Sequence, residues 1–124
     1  RDALLANMEP TGGWAHGPRN ELPYPLDYAE LTATGNICLA ALGEIQSLGL
    51  QVKKEAVAKA LEYIEQSSDG GGGVGYSTRP GQRGMGAAGR TASALLAMSR
   101  LELTRRPLYK KLAVRTARLF SPIL

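Results

Sequence analysis

Gly84, Gly86 and Gly89 fit the dinucleotide pattern G-x-G-x-x-G, and Gly84, Gly89, Arg90 and Thr91 nearly fit the phosphate loop G-x-x-x-x-G-K-[ST]. Both patterns need a buried strand before the glycines. The stretch 71–84 has too few apolar residues and carries Pro80, so no strand is expected there. The dinucleotide version also wants an acidic residue about 20 positions on, and the only later one, Glu102, comes too early. The phosphate loop wants Lys, for which Arg90 is not a simple substitute. What survives is a bare anion or carboxylate held by Arg79, Arg83 and Arg90 near a helix start, with no nucleotide and no cofactor. Asp27 and Glu30 form a second candidate, an acid/base carboxylate pair of the kind used in sugar hydrolysis. The blander account of that pair is charge complementarity to the following helix N-terminus. A third candidate is metal binding, but one His (His16) and one Cys (Cys38) make no zinc set. Trp14, Tyr24 and Tyr76 complete the candidate binding residues, all in loops.

The elements that must carry these residues repeat. At an offset of 57, residues 52–64 fall on 109–121, with identities Lys53/Lys110, Lys54/Lys111, Ala56/Ala113, Val57/Val114 and Ala60/Ala117. The same offset pairs Thr34 with Thr91, Leu39 with Leu96 and Ala40 with Ala97, and a three-residue shift pairs Gly12-Gly13-Trp14 with Gly72-Gly73-Val74. Each unit reads as a Gly-rich loop, a first helix (about 32–48 and 87–103) and a second helix (about 52–66 and 107–121). The first helices are apolar nearly all round, which marks them as inner. In the 32–48 helix, Ile37, Cys38, Ala41, Leu42, Ile45 and Leu48 are expected to face a core. The 52–66 helix is amphipathic, with Val52, Ala56, Val57, Ala60 and Ile64 as its stripe, so it is expected outside. Residues 1–11 read as the tail of a preceding second helix, 12–66 as repeat 1 and 67–124 as repeat 2, all in one domain.

At these residues the chain resembles the squalene cyclase and protein prenyltransferase repeat family. Lys59, Ala60, Tyr63, Ile64, Gln66, Gly72 and Gly73 match that family's signature, with Val74 where an aromatic is usual, and Gly12-Gly13-Trp14 supplies the usual Gly-Gly-Trp. The resemblance implies an all-α fold of the α/α-toroid type, with inner helices around a cavity. The family's chemistry is not carried along. The D-x-D-D acid of the cyclases is absent, and Asn36 stands where the prenyltransferases' carboxylate zinc ligand should be. The expected role is a non-catalytic segment that binds a lipid-like or anionic ligand, or a protein segment. The alternative is part of an active enzyme whose catalytic residues lie outside this chain.

Charge bears on partners. Residues 1–70 hold five Lys/Arg against ten Asp/Glu, and residues 71–124 hold ten against one. An acidic half and a basic half suit further repeats or other copies of the chain, or an anion on the basic half. Nucleic acid is disfavoured because only Tyr76 and Tyr109 interleave with the basic residues. No apolar run has the length of a membrane span. The single cysteine suits a reducing compartment, so a cytoplasmic location is the expectation.

Overall fold

The computed structural model describes residues 1–15, 30–84 and 88–121. Five helices follow one another: α1 (Asp2–Ala6), α2 (Thr32–Ser47), α3 (Lys54–Ser67), α4 (Ala88–Arg100) and α5 (Pro107–Phe120). Among the described residues there are no strands, only two isolated bridges, Trp14 to Leu31 and Ser68 to Val74. The chain is all-α, as its composition and periodicity predict.

Each helix end has a local cause. Pro107 opens α5, where its missing N–H is not needed. α2 starts without a side-chain cap, and the loop of the second unit supplies one: the Thr32 N–H donates to the Tyr76 carbonyl at 3.1 Å and the Thr32 hydroxyl to the Gly75 carbonyl at 2.6 Å. α2 ends at Gly49, in the left-handed region at φ 84°, with the Leu50 N–H reaching back to the Ile45 carbonyl. α4 closes with the same motif, the Leu103 N–H on the Met98 carbonyl at 2.9 Å, but the left-handed position is Glu102 at φ 58°.

The two Gly-rich loops are copies of one conformation. In the first, the Glu9 N–H donates to the Gly13 carbonyl at 2.9 Å and the Gly12 N–H to the Glu9 carbonyl at 2.9 Å. In the second, Asp69 and Gly73 make the same bond at 2.9 Å, and Gly72 and Asp69 the other at 3.0 Å. Gly12 and Gly72 share φ values of 94° and 86°. Each lies against the backbone of the next outer helix: a Cβ on Gly12 would stand 2.2 Å from the Lys59 carbonyl oxygen, and one on Gly72 2.8 Å from that of Lys111. Glycine is required at both places by conformation and by space. At this offset of 60, α1 corresponds to the last turns of α3.

Burial corrects the uniform offset of 57. Leu39 is fully buried while Leu96 is 53% exposed; Ala60 is buried while Ala117 is exposed. The inner helices match instead at an offset of 59: Thr32, Gly35, Leu39 and Leu42 are buried on α2, and Thr91, Ala94, Met98 and Leu101 in or just after α4. The outer helices match at 52, which pairs Ala60 with Leu112 and Lys59 with Lys111, the two residues that meet the glycines. The second unit is therefore the shorter, because α2 runs about one and a half turns beyond the point where α4 stops.

The core lies between the pair α2 and α4 and the helices α3 and α5 that flank it. Leu39, Leu42, Ala60, Ile64, Ala94, Ala97, Met98, Leu101, Leu108 and Leu112 form it with Trp14 and Val74 from the two loops. α2 packs chiefly on α4, and α4 on α5. The α2–α4 crossing is close at Gly43, where a Cβ would lie 2.7 Å from the Arg100 Cβ and 2.9 Å from its carbonyl carbon. Gly43 thus serves helix contact and does not end the helix. Asn36, buried on α2, fastens the same crossing by donating to the Arg90 carbonyl at 3.0 Å and to the Ser93 hydroxyl at 2.8 Å.

Candidate functional site

Two surfaces hold the candidate residues: the loop cluster at the helix N-termini, and the face of the inner helices turned away from the outer layer.

The loop cluster is knit by its own bonds. The Tyr76 N–H donates to the Gln82 carbonyl at 2.8 Å, the Ser77 hydroxyl to Gln82 Oε1 at 2.5 Å, and the Arg79 N–H to the Ser77 hydroxyl at 3.1 Å. The arginines expected to hold an anion are partly engaged. Arg83 Nε donates to the Thr78 carbonyl at 2.5 Å, and Arg90 Nε to the Val74 carbonyl at 3.3 Å. The Arg90 guanidinium also lies over the Tyr76 ring, 5.8 Å from its centroid. Gly84, at φ 72°, packs on Asp69, whose Cβ would lie 2.9 Å from a Cβ there. Thr91, the hydroxyl that a phosphate loop would offer to a metal, is buried and accepts the Val74 N–H at 3.1 Å. Gly84 serves packing, whereas Gly89 is exposed with open space beside it.

Glu30 is 6% exposed. Its Oε1 accepts the Thr11 hydroxyl at 2.9 Å, and its backbone carbonyl accepts the Tyr63 hydroxyl at 2.5 Å. It lies against Gly13, where a Cβ would stand 2.6 Å from its own. Glu30 thus ties the first loop, through its carboxylate, to α3, through its backbone carbonyl, and is closed from solvent. Asp27, its proposed partner, lies outside the described residues, as do Tyr24, His16 and Gly86. Burial, and next to it the Glu30 charge, push the Tyr63 hydroxyl far above the ordinary tyrosine range; a Thr78 N–H and the charge of Arg79 pull the other way. Trp14 is buried and donates from Nε1 to the Leu4 carbonyl at 2.8 Å. It pins α1 to the core and offers little surface to a ligand. Cys38 is half-buried, and that burial raises its thiol pKa. Among the described residues no three His, Cys, Asp or Glu groups gather as metal ligands, and no helix is long and apolar enough to cross a membrane.

The inner-helix face departs from expectation. Ile37, read from the sequence as core, is 70% exposed, and Leu96 is 53% exposed. At the offset of 59 these two are equivalent residues. Both point opposite the positions that meet the outer layer, such as Leu39 and Leu42 on α2. Ala33 and Gly89 are exposed on the same side, and Glu44 and Arg100 close it at the far end with a 2.7 Å ion pair. The result is a matched pair of exposed apolar residues on two packed helices, with an ion pair at one end. Sequence reasoning missed it because both helices are apolar nearly all round, so their inward and outward sides look alike.

Protein-family models, curated proteins and solved structures were all compared with the chain, and none matches.

Proposed function

We propose that the chain is a helical-repeat segment of the squalene cyclase and prenyltransferase-like type whose role is binding, not catalysis, and that the inner-helix face takes an apolar, lipid-like ligand. The observation that carries this is the paired exposure of Ile37 and Leu96 at equivalent positions of consecutive inner helices. Scattered exposed apolar residues need no explanation, but large ones exposed at matched positions of two packed helices, with an ion pair at one end, suit an interaction site. The signature match at Lys59–Gln66 and Gly72–Gly73 supports the repeat type, and the burial of Glu30 with its bond to Thr11 argues against acid/base work at that carboxylate.

The test is displacement of 1-anilinonaphthalene-8-sulfonate by a long-chain isoprenoid alcohol and, separately, by a fatty acid. Saturable displacement is expected, weakened at least roughly tenfold by Leu96→Asp. Val114→Asp, at an equally exposed apolar residue on α5, should leave it unchanged. No saturable binding, or equal loss in both variants, refutes the reading.

A second reading has its own observation. Arg105, Arg106, Lys110, Lys111 and Arg118 are all exposed at the start and along the outer side of α5. That surface suits an acidic partner. Its affinity would fall steeply with salt, whereas apolar binding on the inner face would not.

A further inference from the structure

Besides its exposed face, α2 carries an apolar stripe on the flank away from α4: Thr34, Cys38, Ala41 and Ile45, half-buried, with Ile37 and Leu48 exposed at its edge. The chain itself holds a template for what covers such a flank. Ser93 and Arg100 are among the α4 residues that meet α2. At the offset of 59 their equivalents on α2 are Thr34 and Ala41, both in the stripe. Within the chain, then, the same flank of the next inner helix is covered by a helix presenting Asn36 and Gly43. The structure also shows the place prepared. α1 lies beside the residues leading into α3, forming a groove lined by Leu5, Ala6, Gln51 and Val52. α3 lies in the same way beside the start of α5, with Leu61, Glu65, Pro107 and Leu108. α1 thus fills the outer-layer position of an upstream unit.

We infer that the α2 stripe receives one more inner-type helix, one with small residues spaced as Asn36, Ala40 and Gly43 are. This rests on the repeat reading above. Small residues are required because Thr34, Cys38 and Ala41 are themselves short, so the axes approach to the lower end of the usual 8–10 Å. A second copy stacked head to tail is not the occupant: in repeat geometry its α5 would need the space that α1 fills.

Cys38, the single cysteine, lies in the stripe and reports on its occupation. The probe is a synthetic peptide of residues 31–49 with Cys38 replaced by Ser, added to the full chain. Saturating peptide should slow thiol labelling of Cys38 at least roughly fivefold. By the pairings Asn36/Ser93 and Gly43/Arg100, peptide Ala40 should face Cys38. An Ala40→Cys peptide should therefore form a disulfide with the chain, and a Leu42→Cys peptide should not. Ala41→Arg in the chain should abolish the protection, with its circular dichroism unchanged. Unchanged labelling, or equal cross-linking by both peptides, overturns the inference. So does protection that grows with chain concentration alone alongside a dimer mass, since the occupant is then a second copy. Loss of this protection leaves the Leu96-dependent ligand displacement untouched, so the two readings fail separately.

Discussion

Gly43→Ala is the sharpest test of how the inner helices meet. Alanine in place of glycine inside a helix is worth about 1 kcal/mol in intrinsic propensity, so on local grounds the variant should be more stable. The structure says otherwise. The added Cβ would lie 2.7 Å from the Arg100 Cβ, 2.9 Å from its carbonyl carbon and 3.0 Å from its carbonyl oxygen. Carbon atoms in contact sit about 3.5–4.0 Å apart, so α4 must retreat by about 1 Å. Two of the three near atoms are backbone and cannot swing away. Overpacking of this kind costs about 1–3 kcal/mol. The retreat also strains the two Asn36 bonds to α4, at 3.0 and 2.8 Å. Set against the propensity gain, the net expectation is a loss of about 1–2 kcal/mol. For a chain of 124 residues that is a fall in Tm of about 4–8 °C, measured by circular dichroism and checked by urea unfolding. Arg100→Gly, which removes the nearest atom, should restore part of the loss in the double variant. A Gly43→Ala protein as stable as its parent, or more stable, refutes the close crossing.

Other expectations follow from single residues. Glu102→Gly should stabilise the chain by about 1 kcal/mol, read as a higher urea midpoint, because a non-glycine residue at φ 58° carries roughly that strain. Trp14→Phe should lower stability by about 1 kcal/mol or more through loss of the indole bond to Leu4, with α1 amides exchanging faster by NMR. Tyr63 stays neutral in the folded chain and ionises near pH 10 when unfolded. Its contribution is therefore intact below about pH 10 and lost as pH rises beyond it. Urea midpoints should fall above that pH, and Tyr63→Phe should flatten the fall while lowering stability at neutral pH.

The helices were legible to within a few residues because caps and breakers sit where they should: Pro107 at one start, Gly49 after one end, and glycines between the units. The helix at Asp2–Ala6 was legible from its relation to the Gly-Gly-Trp loop. What could not be read was helix phase. α2 is apolar on most sides, so nothing in its pattern says that Leu39 turns in and Ile37 out. The repeat offset failed for a related reason. Ala, Val and Lys recur often enough in both outer helices to align at 57, whereas burial and the glycine contacts align them at 52. Glu30 was noticed for its charge, but its actual partners, Thr11 and Tyr63, lie 19 and 33 residues away and only the fold brings them together. Tyr63 was noticed as a signature residue, and its place at the centre of that tie was not.

The twin loops share a backbone path but differ in how they are held. In the second, Asp69 Oδ1 takes the N–H groups of Gly71 and Gly73 at 2.9 and 2.8 Å, all within five residues. In the first, the Thr11 hydroxyl takes only the Gly13 N–H, at a long 3.5 Å, and itself donates across to Glu30. The second loop is therefore the better held by local bonds while the rest of the chain is still open, and the first gains its firmest side-chain bond only when residue 30 arrives. During refolding, pulse-labelled exchange should find the Gly73 amide protected ahead of Gly13. Replacing the first loop by the second, Asp-Gly-Gly-Gly-Gly for residues 9–13, would convert a late, distance-dependent closure into an early local one.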